Sequence, residues 1–334
     1  MGISSEDGFW VGFDLGGTKM LASVYDANLK QISRKRKRTK AHEGVESGLE
    51  RIRQLIHTVI KEAEIQPEQI SGIGIGCPGP LNLEKGIILE APNLGWKNVP
   101  IVKMLKDEFG CPTIIANDVD LGVYGEATCG SAKSDRCVLG VFPGTGVGGG
   151  CVYEGQIIRG SKYSCMEIGH IPVINNGPIC GCGLRGCLET VASRLAVASA
   201  AAAAAYRGQA PYLMSKVGTE VSEIRSSALA ASIEAGDKAV RRIVENAAEY
   251  IGIAAATVIH LISPDVILLG GGLVEAMPNL FTEIVHRTAQ SHVLPSYKDS
   301  FRVTVTKLGD DAAVTGAAAW ARYNFQSTLV SSSS

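Results

Sequence analysis

The sequence contains no long apolar segment and no excess of charge of either sign. Its longest nearly uncharged apolar run, residues 250–262, is much shorter than the roughly 20 residues that span a bilayer. Lysine and arginine together number 32, and aspartate and glutamate 33, so the basic bias typical of nucleic-acid-binding proteins is missing. The amino terminus lacks the pattern of a signal peptide and completes no myristoylation motif. We therefore expect a cytoplasmic protein whose partners include neither a membrane nor nucleic acid.

The sequence also lacks two common nucleotide-binding signatures. No GxxxxGK[ST] motif occurs, which excludes the P-loop enzymes. Residues 144–149, GTGVGG, have the glycine spacing of the dinucleotide fingerprint. That fingerprint requires a helix to follow, whereas the next residues, CVYEGQII, are strand-like. This context argues against a dehydrogenase.

The length and the order of elements favour two related halves. A chain of 334 residues that is 46% apolar is too long for one ordinary core and favours two domains. Residues 9–26 and 137–155 each read as a strand, a glycine-rich turn with threonine, and a second strand. Apolar periodicity and alanine content predict helices over residues 45–63, 188–206, 237–262 and 312–325. We therefore expect two similar α/β halves that hold a ligand between them.

The segment DLGGTK, residues 14–19, follows the first predicted strand. Its glycines let backbone N–H groups approach phosphate oxygens, the side chains of Thr18 and Lys19 add contacts, and Asp14 can hold Mg²⁺ through water. An Asp-Gly hairpin turn would explain the glycines almost as well. The second half has a similar turn, so we expect two clamps for a nucleotide phosphate. They consist of Asp14, Gly16, Gly17, Thr18 and Lys19 in the first half and Gly144, Thr145 and Gly146 in the second.

Nine cysteines are present, and three of them form a cluster in a glycine-bearing loop, Cys180, Cys182 and Cys187. The other six are scattered, and in a reducing compartment we expect them to be small buried apolar residues. One residue separates the first two clustered cysteines, whereas a redox motif has two, and a disulfide is unusual in the cytoplasm. The cluster therefore favours a closed tetrahedral zinc site that needs one further ligand, an imidazole or Cys165.

A buried strand, PTIIAN, brings Asn117 and Asp118 to its carboxyl end, the edge at which α/β proteins bind ligands. A carboxylate at that edge can act as the base in phosphoryl transfer to an alcohol. The alternative is that Asp118 only caps the following helix, which is a common use of aspartate. These residues alone leave both interpretations open.

The basic run of residues 34–40 ends the third predicted strand. A polyanion-binding or nuclear-targeting patch is one interpretation of such a run. An edge strand that its lysines and arginines protect from further pairing is the commoner case. We expect the edge strand.

Eight short motifs lie in order between about residue 10 and residue 322: DLGGTK, GCPGPL, PNLGW, ANDVD, GTGVGGG, EIGH, CGCGLRGCLET and LLGGG. In order and spacing they resemble the bacterial ROK family of sugar kinases, and most closely its glucokinases. The resemblance implies an α/β, two-domain hexokinase/actin-like fold (a duplicated ribonuclease H-like fold) with a cleft between domains that closes over sugar and ATP. It implies a small domain of residues 1–122 plus about 312–326, a large domain of residues 123–311 with the zinc loop, and a flexible tail of residues 327–334.

The same resemblance assigns roles to individual residues. It implies that Asp118 is the catalytic base that takes the proton of the sugar 6-hydroxyl, and that Asn117 binds neighbouring hydroxyls. A lone histidine or glutamate is more often a surface or core residue, but the motif positions imply further sugar contacts at Glu167, His170, Glu189, Gly79 and Asn93. The implied zinc ligands are His170, Cys180, Cys182 and Cys187. The implied adenosine-side turn is Gly271 and Gly272.

The expected function is ATP-dependent phosphorylation of glucose at its 6-hydroxyl, with Mg²⁺ bound to the nucleotide and a structural Zn²⁺. Two alternatives stay open: another ROK hexose kinase that acts on N-acetylmannosamine, N-acetylglucosamine or fructose, and a sugar-binding regulator without catalysis. A regulator has no need of Asp14, Thr18, Lys19 and Asp118, and the chain begins at the first strand without the helix-turn-helix of ROK repressors. The resemblance also implies a homodimer, and polyphosphate stays open as an alternative donor.

Overall fold

The computed structural model describes residues 8–161 and 165–331, and these residues form two compact units. The first unit takes in the described residues of Met1–Lys133, Gly155–Cys165 and Asp310–Ser334, and the second those of Ser134–Glu154 and Met166–Gly309. This division differs from the expected domains because it groups residues 123–133 and 155–165 with the first unit. The expected domain bounds therefore stay a prediction.

Strands and helices alternate along both units. The strands are β1 (Phe9–Leu15), β2 (Lys19–Tyr25), β3 (Gln31–Arg38), β4 (Ile70–Cys77), β5 (Leu81–Asn82), β6 (Ile87–Ala91), β7 (Trp96–Val99), β8 (Thr113–Asn117), β9 (Cys137–Pro143), β10 (Val147–Tyr153), β11 (Gln156–Ile157), β12 (Val266–Leu269) and β13 (Arg302–Val305). The α-helices are α1 (Gly44–Glu62), α2 (Ile101–Phe109), α3 (Asp118–Cys129), α4 (Glu189–Ala192), α5 (Arg194–Tyr206), α6 (Pro211–Lys216), α7 (Ser226–Glu234), α8 (Lys238–Ile262), α9 (Gly272–Ala276), α10 (Pro278–His292) and α11 (Ala312–Ser331).

The first unit is built on a five-stranded sheet in the order β3-β2-β1-β4-β8. β1, β2 and β3 form the antiparallel meander that the glycine turn predicts, and β4 and β8 run parallel to β1. Apolar residues of α1 at helical spacing, such as Ile52, Leu55 and Ile56, are fully buried against this sheet. A small antiparallel sheet, β5-β6-β7, was not anticipated from the sequence. Its strands are too short to give a periodic signal.

The last helix, α11, packs directly on β1 and β4 of the first unit. Glycines at the contact allow this approach: a Cβ atom on Gly12 would lie 1.9 Å from the carbonyl oxygen of Val314, and one on Gly74 would lie 1.9 Å from that of Ala317. α11 continues to Ser331, into the segment expected to be a flexible tail, and residues 332–334 lie outside the described residues.

The second unit has a sheet in which β9 pairs antiparallel with β10 and parallel with β12, and β12 pairs parallel with β13. Its core is rich in alanine, valine and isoleucine from α5, α8 and α10 around the buried strand β12. The expected helix over residues 188–206 is interrupted at Ser193, which has extended backbone angles and accepts a hydrogen bond from the Ala196 amide. The serine therefore ends α4 and caps α5.

β3 lies at the edge of the first-unit sheet, as the basic run predicts. Its charges have acidic partners: Arg34 pairs with Asp311 at 2.6 Å, and Lys35 with Glu62 at 2.7 Å. Such half-exposed pairs contribute little stability, but they fit the edge-strand interpretation. Among the described residues, no helix combines the length and apolar character that a membrane crossing requires.

Candidate functional site

The parallel strands of the first unit bring polar residues to one edge of its sheet. In the strand register, Asp14 of β1 lies beside Gly76 of β4, and Cys77 beside Asn117 of β8. Because β1, β4 and β8 are parallel, their carboxyl ends meet at the same edge. Asp118 follows directly as the first residue of α3. The edge predicted for chemistry therefore carries two carboxylates and an amide.

Asn117, and not Asp118, is the N-cap of α3. The Asn117 side-chain oxygen accepts hydrogen bonds from the amides of Val119, at 2.9 Å, and Asp120, at 3.3 Å. The Oδ1 atom of Asp118 also accepts from the Val119 amide, at 3.0 Å. The capping role that was the alternative for Asp118 thus falls mainly to its neighbour. The structure leaves Asp118 as a partly buried carboxylate whose position the helix start fixes.

Burial shapes the protonation of both carboxylates. It raises the pKa of Asp118 above its ordinary value. The pKa of Asp14 rises from 3.8 to about 7, first through burial and then through the negative charge of Asp118, against the opposing effect of Lys19. Two neighbouring, partly buried carboxylates with raised pKa values are typical of a site that holds a proton or a cation.

The turn of DLGGTK is anchored through its backbone, which leaves its polar side chains exposed. Thr39 donates from its hydroxyl to the Gly16 carbonyl at 2.6 Å and from its amide to the Thr18 carbonyl at 2.9 Å. The side chains of Thr18 and Lys19 are exposed. A Cβ atom on Gly17 would lie 3.1 Å from the Cβ of Asn93, so Asn93 lies beside the turn.

Lys19 has a partner that the sequence analysis missed. Its Nζ atom lies 2.8 Å from Oδ1 of Asp310, whose Oδ2 lies 2.5 Å from Arg36. Lys19 and Arg36 lower the pKa of Asp310. The only available signal was the pair of aspartates in the segment LGDDAAV before the last predicted helix. Nothing in the local pattern connects that pair with residue 19.

Gly79, the other predicted sugar contact of the first unit, lies in an exposed turn after β4. Its φ of 82° lies in the left-handed region, and a Cβ atom there would meet the Glu90 carbonyl oxygen at 2.1 Å. The close approach to β6 explains the glycine without any ligand. Its role in sugar binding stays a prediction.

In the second unit, both predicted glycine turns lie at one sheet edge. Gly144, Thr145 and Gly146 follow β9, and Gly271 and Gly272 follow the neighbouring parallel strand β12. A Cβ atom on Gly271 would lie 2.9 Å from the Pro143 carbonyl oxygen. The two turns therefore lie side by side.

Glu189 begins α4, and its carboxylate lies against the first of these turns. Its Oε2 atom accepts a hydrogen bond from the Val147 amide at 3.1 Å, and its Oε1 atom lies 3.6 Å from the Cys180 sulfur. Glu167, in contrast, is exposed and precedes the short 3₁₀ turn that contains His170. The structure thus shows contacts of Glu189 that the sequence did not indicate.

The predicted zinc ligands come together. One ligand atom from each of His170, Cys180, Cys182 and Cys187 lies within 4.8 Å of all the others. Zinc–sulfur bonds of about 2.3 Å in a tetrahedron place two sulfurs about 3.8 Å apart. The sulfurs of Cys182 and Cys187 are 3.8 Å apart, and Nδ1 of His170 lies 3.7 Å from the Cys180 sulfur. These spacings fit a closed tetrahedral zinc site.

Two further contacts bear on this cluster. The pKa of the Cys182 thiol is lowered, chiefly by a hydrogen bond from the backbone of Leu184, whereas burial raises the pKa values of the Cys180 and Cys187 thiols. Cys165, the rival fourth ligand, donates instead to the Ile158 carbonyl at 2.9 Å and is not part of the cluster. The geometry of the cluster therefore favours His170 over Cys165 as the fourth ligand.

A model of the ROK family matches residues 10–324, which is nearly the whole chain. The chain belongs to the ROK family. Among ROK relatives, a glucokinase from Halalkalibacterium halodurans is 30% identical over 314 residues, which cover 93% of this chain and 94% of that protein. A xylose repressor from Caldicellulosiruptor bescii is 29% identical over 314 residues, which cover 94% of this chain and 78% of that protein.

A solved structure of the same family confirms the fold. A ROK family glucokinase from Streptomyces griseus, in complex with glucose and AMPPNP, superposes with a TM-score of 0.80 at 26% identity. The match covers 95% of this chain and 100% of that chain. The α/β hexokinase/actin-like fold and the ROK resemblance predicted from the motifs are therefore correct.

Proposed function

We propose that this ROK protein is a sugar kinase that transfers the γ-phosphoryl group of ATP to the 6-hydroxyl of glucose, with Asp118 as the general base. The observation that carries the proposal is the partly buried Asp118 carboxylate, with its raised pKa, at the sheet edge where β1 also ends, with Asp14 as its next-to-last residue. The glucokinase relatives support both substrates, since the solved Streptomyces griseus protein holds glucose and AMPPNP.

In the proposed reaction, Asp118 accepts the proton of the sugar 6-hydroxyl. A bond then forms between that oxygen and the γ-phosphorus, the bond from phosphorus to the ADP oxygen breaks, and ADP leaves. The Val119 amide holds Oδ1 of Asp118, which fixes the direction of the carboxylate. A raised pKa makes the carboxylate a stronger base once it is ionised.

The residues of the glycine turns are the proposed nucleotide contacts. Gly16, Gly17, Thr18 and Lys19, together with Gly144, Thr145 and Gly146, would bind phosphate oxygens, and Gly271 and Gly272 the adenosine side. Magnesium, when bound, would neutralise phosphate charge. Asp14 fits a water-mediated contact to this ion: burial, and then the charge of Asp118, raise its pKa to about 7, and a cation would favour its ionised form.

The remaining predicted residues would hold the sugar and the structural metal. We propose sugar contacts at Asn117, Glu167, His170, Glu189, Gly79 and Asn93. Zinc would lie between Cys180, Cys182, Cys187 and Nδ1 of His170, the ring nitrogen that faces the sulfurs. The Nε2 atom of the same ring would then be the donor to a sugar hydroxyl. With four protein ligands the metal keeps no open position, which is typical of a structural role.

The first prediction tests the reaction by coupled ADP release over glucose, fructose, N-acetylglucosamine and N-acetylmannosamine. We expect glucose to give the highest kcat/KM. Asp118→Asn should lower kcat by about a thousandfold or more, while the dissociation constant for glucose in calorimetry changes little. A variant that kept near-wild-type turnover would remove Asp118 from the mechanism. If another hexose gave the highest kcat/KM, the protein would still be a sugar kinase, but glucose would not be its preferred substrate.

The second candidate function is a sugar-binding regulator without catalysis. The similarity to a xylose repressor over 94% of this chain favours it. Sugar binding in calorimetry without ADP release for any hexose would support this alternative. The presence of Asp118, Asp14 and Lys19 in the arrangement described above favours the kinase.

We also propose a homodimer, which the family resemblance implies, and a cytoplasmic location. Light scattering during size-exclusion chromatography would test the first of these. A mass of twice 35.1 kDa is expected. The mass of a single chain would contradict the dimer.

A further inference from the structure

The Glu189 carboxylate contacts both the proposed metal cluster and the glycine turn that is proposed to bind phosphate. Its Oε1 atom lies 3.6 Å from the sulfur of Cys180 in the metal cluster. Its Oε2 atom accepts a hydrogen bond from the amide of Val147, which directly follows the turn of residues 144–146. One carboxylate therefore connects the cluster to the turn that is proposed to bind phosphate.

The turn is held at its other end by the same part of the chain. The amide of Arg194, the first residue of α5, donates to the Gly144 carbonyl at 2.8 Å. Within the turn, the Gly144 amide donates to the Gly146 carbonyl at 2.8 Å. The segment that follows Cys187 thus contacts the turn both before and after its tip.

The Glu189 carboxylate packs closely against Gly146. A Cβ atom at this position would lie 2.2 Å from Oε2 of Glu189, so any larger residue would push the carboxylate away. Because Glu189 follows Cys187 by two positions, the geometry of the cluster determines where the carboxylate lies. A change at the cluster is therefore transmitted over a short, packed path to the turn.

We propose that Glu189 is a positioning residue for the nucleotide: it holds the turn of residues 144–146 in its phosphate-binding shape, and the metal cluster sets its place. This inference rests on the proposed function, which assigns phosphate binding to that turn. It gives Glu189 a role that does not require sugar. The affinity for nucleotide then depends on Glu189 and on the metal even in the absence of sugar.

The test is calorimetric titration of AMPPNP with Mg²⁺ into the sugar-free protein. Glu189→Ala should weaken binding about tenfold or more, since a charge-assisted hydrogen bond to the turn is lost. Glu189→Gln should retain most of the affinity because its amide oxygen can still accept from Val147. Glu234→Gln, the same change at an exposed position of α7, is the matched control and should bind as the wild type. If Glu189 contacted only the sugar, the wild type and all three variants would bind AMPPNP with equal affinity.

Hydrogen exchange of the intact protein gives a second measurement that does not depend on a variant. Removal of the metal by a chelator, verified by metal analysis, should speed exchange of the Val147 amide. Equal AMPPNP affinity of Glu189→Ala and wild type, or unchanged exchange at Val147 after metal removal, would overturn the inference while the proposed function stands. A wild-type protein that bound no AMPPNP would overturn the proposed function itself, and the inference with it.

Discussion

Asp14, the next-to-last residue of β1, carries a partly buried carboxylate whose pKa affects both the proposed chemistry and the stability of the fold. Its pKa is about 7 in the folded protein, against an ordinary value of 3.8. An acid with a raised pKa binds a proton on folding, so stability is greatest below the unfolded pKa and falls as the pH rises to the folded pKa. Asp14 should therefore destabilise the metal-free protein between about pH 4 and pH 7, and fully above that range.

The prediction for Asp14 is that Asn at this position stabilises the protein at high pH. Without added Mg²⁺, Asp14→Asn should exceed the wild type in free energy of unfolding by about 2–4 kcal/mol above pH 7. The difference should shrink to near zero at about pH 4. Urea unfolding over this pH range measures it, with the exposed Asp299→Asn as control. A difference that did not change with pH would contradict the raised pKa.

Asp310 forms ion pairs that no sequence pattern indicated. It joins Lys19 and Arg36 in pairs of 2.8 and 2.5 Å, although Lys19 lies 291 positions earlier in the chain. The side chains of Lys19 and Asp310 are about half exposed, at 49% and 52%, so the pair contributes little stability. Its effect is instead to hold the Lys19 ammonium at the turn that we propose binds phosphate.

For Asp310→Ala we accordingly expect a larger effect on nucleotide use than on stability. The KM for MgATP should rise several-fold, with kcat little changed, and the free energy of unfolding should fall by less than about 1 kcal/mol. Glu62→Ala removes a comparable pair with Lys35 on β3 and is the matched control for both measurements. An unchanged KM in Asp310→Ala would show that the pair does not position Lys19.

At the scale of elements, short capping contacts decide where helices begin. The alanine-rich pattern predicts a single helix over residues 188–206, but Ser193 divides it into α4 and α5. Helix propensity could not reveal this break, because it coincides with the extended backbone of Ser193 and its cap of α5. Likewise, the capping alternative for Asp118 was resolved only by the hydrogen bonds of Asn117.

The zinc loop should behave as a structural element whose order depends on its metal. Cys187→Ser should remove the metal and lower the Tm by about 5 °C or more, since Cys187 is buried at the start of α4. Calorimetry and metal analysis measure the two effects. Cys129→Ser, at a partly buried cysteine of α3 outside the cluster, should leave the metal content unchanged. A metal-free variant with the wild-type Tm would argue against a structural zinc.

At the scale of the whole chain, α11 joins the start and the end of the sequence within one unit. Its close packing depends on Gly12 of β1 and Gly74 of β4, where added Cβ atoms would meet backbone carbonyl oxygens. Backbone atoms cannot move aside as a flexible side chain can, so the sheet and the helix would have to separate. These glycines are therefore packing positions and need no role in a ligand site.

Gly74→Ala tests this packing. It should lower the free energy of unfolding by about 3 kcal/mol or more, because overpacking at a buried contact is costly. Gly181→Ala is the control, since its added Cβ meets no atom within 4 Å and its φ is not positive. Denaturation by urea measures both variants. A tolerated Gly74→Ala would mean that α11 can shift away from β4 at little cost.

The sequence by itself determined the local elements and the family. The strand and turn of DLGGTK, the strand before Asp118 and the helix α8 were recognisable because their signals are short-range: periodicity, glycine turns and motif order. The cluster of thiols was also visible, since three of its ligands lie within eight positions. The assignment of Asp118 as the base was a motif-level expectation and stays a proposal.

Only the tertiary structure decided which distant residues meet. It selected His170 over Cys165 beside the thiols, placed Asp310 at Lys19, and set the Glu189 carboxylate against the Val147 amide. The contacts of Asp310 and Glu189 have no sequence signal, because each depends on how strands and loops far apart in the chain are arranged. His170 differs, since the motif resemblance already implied it as a metal ligand. Side-chain partners in a folded site are fixed by that arrangement, whereas a sequence pattern records only neighbours along the chain.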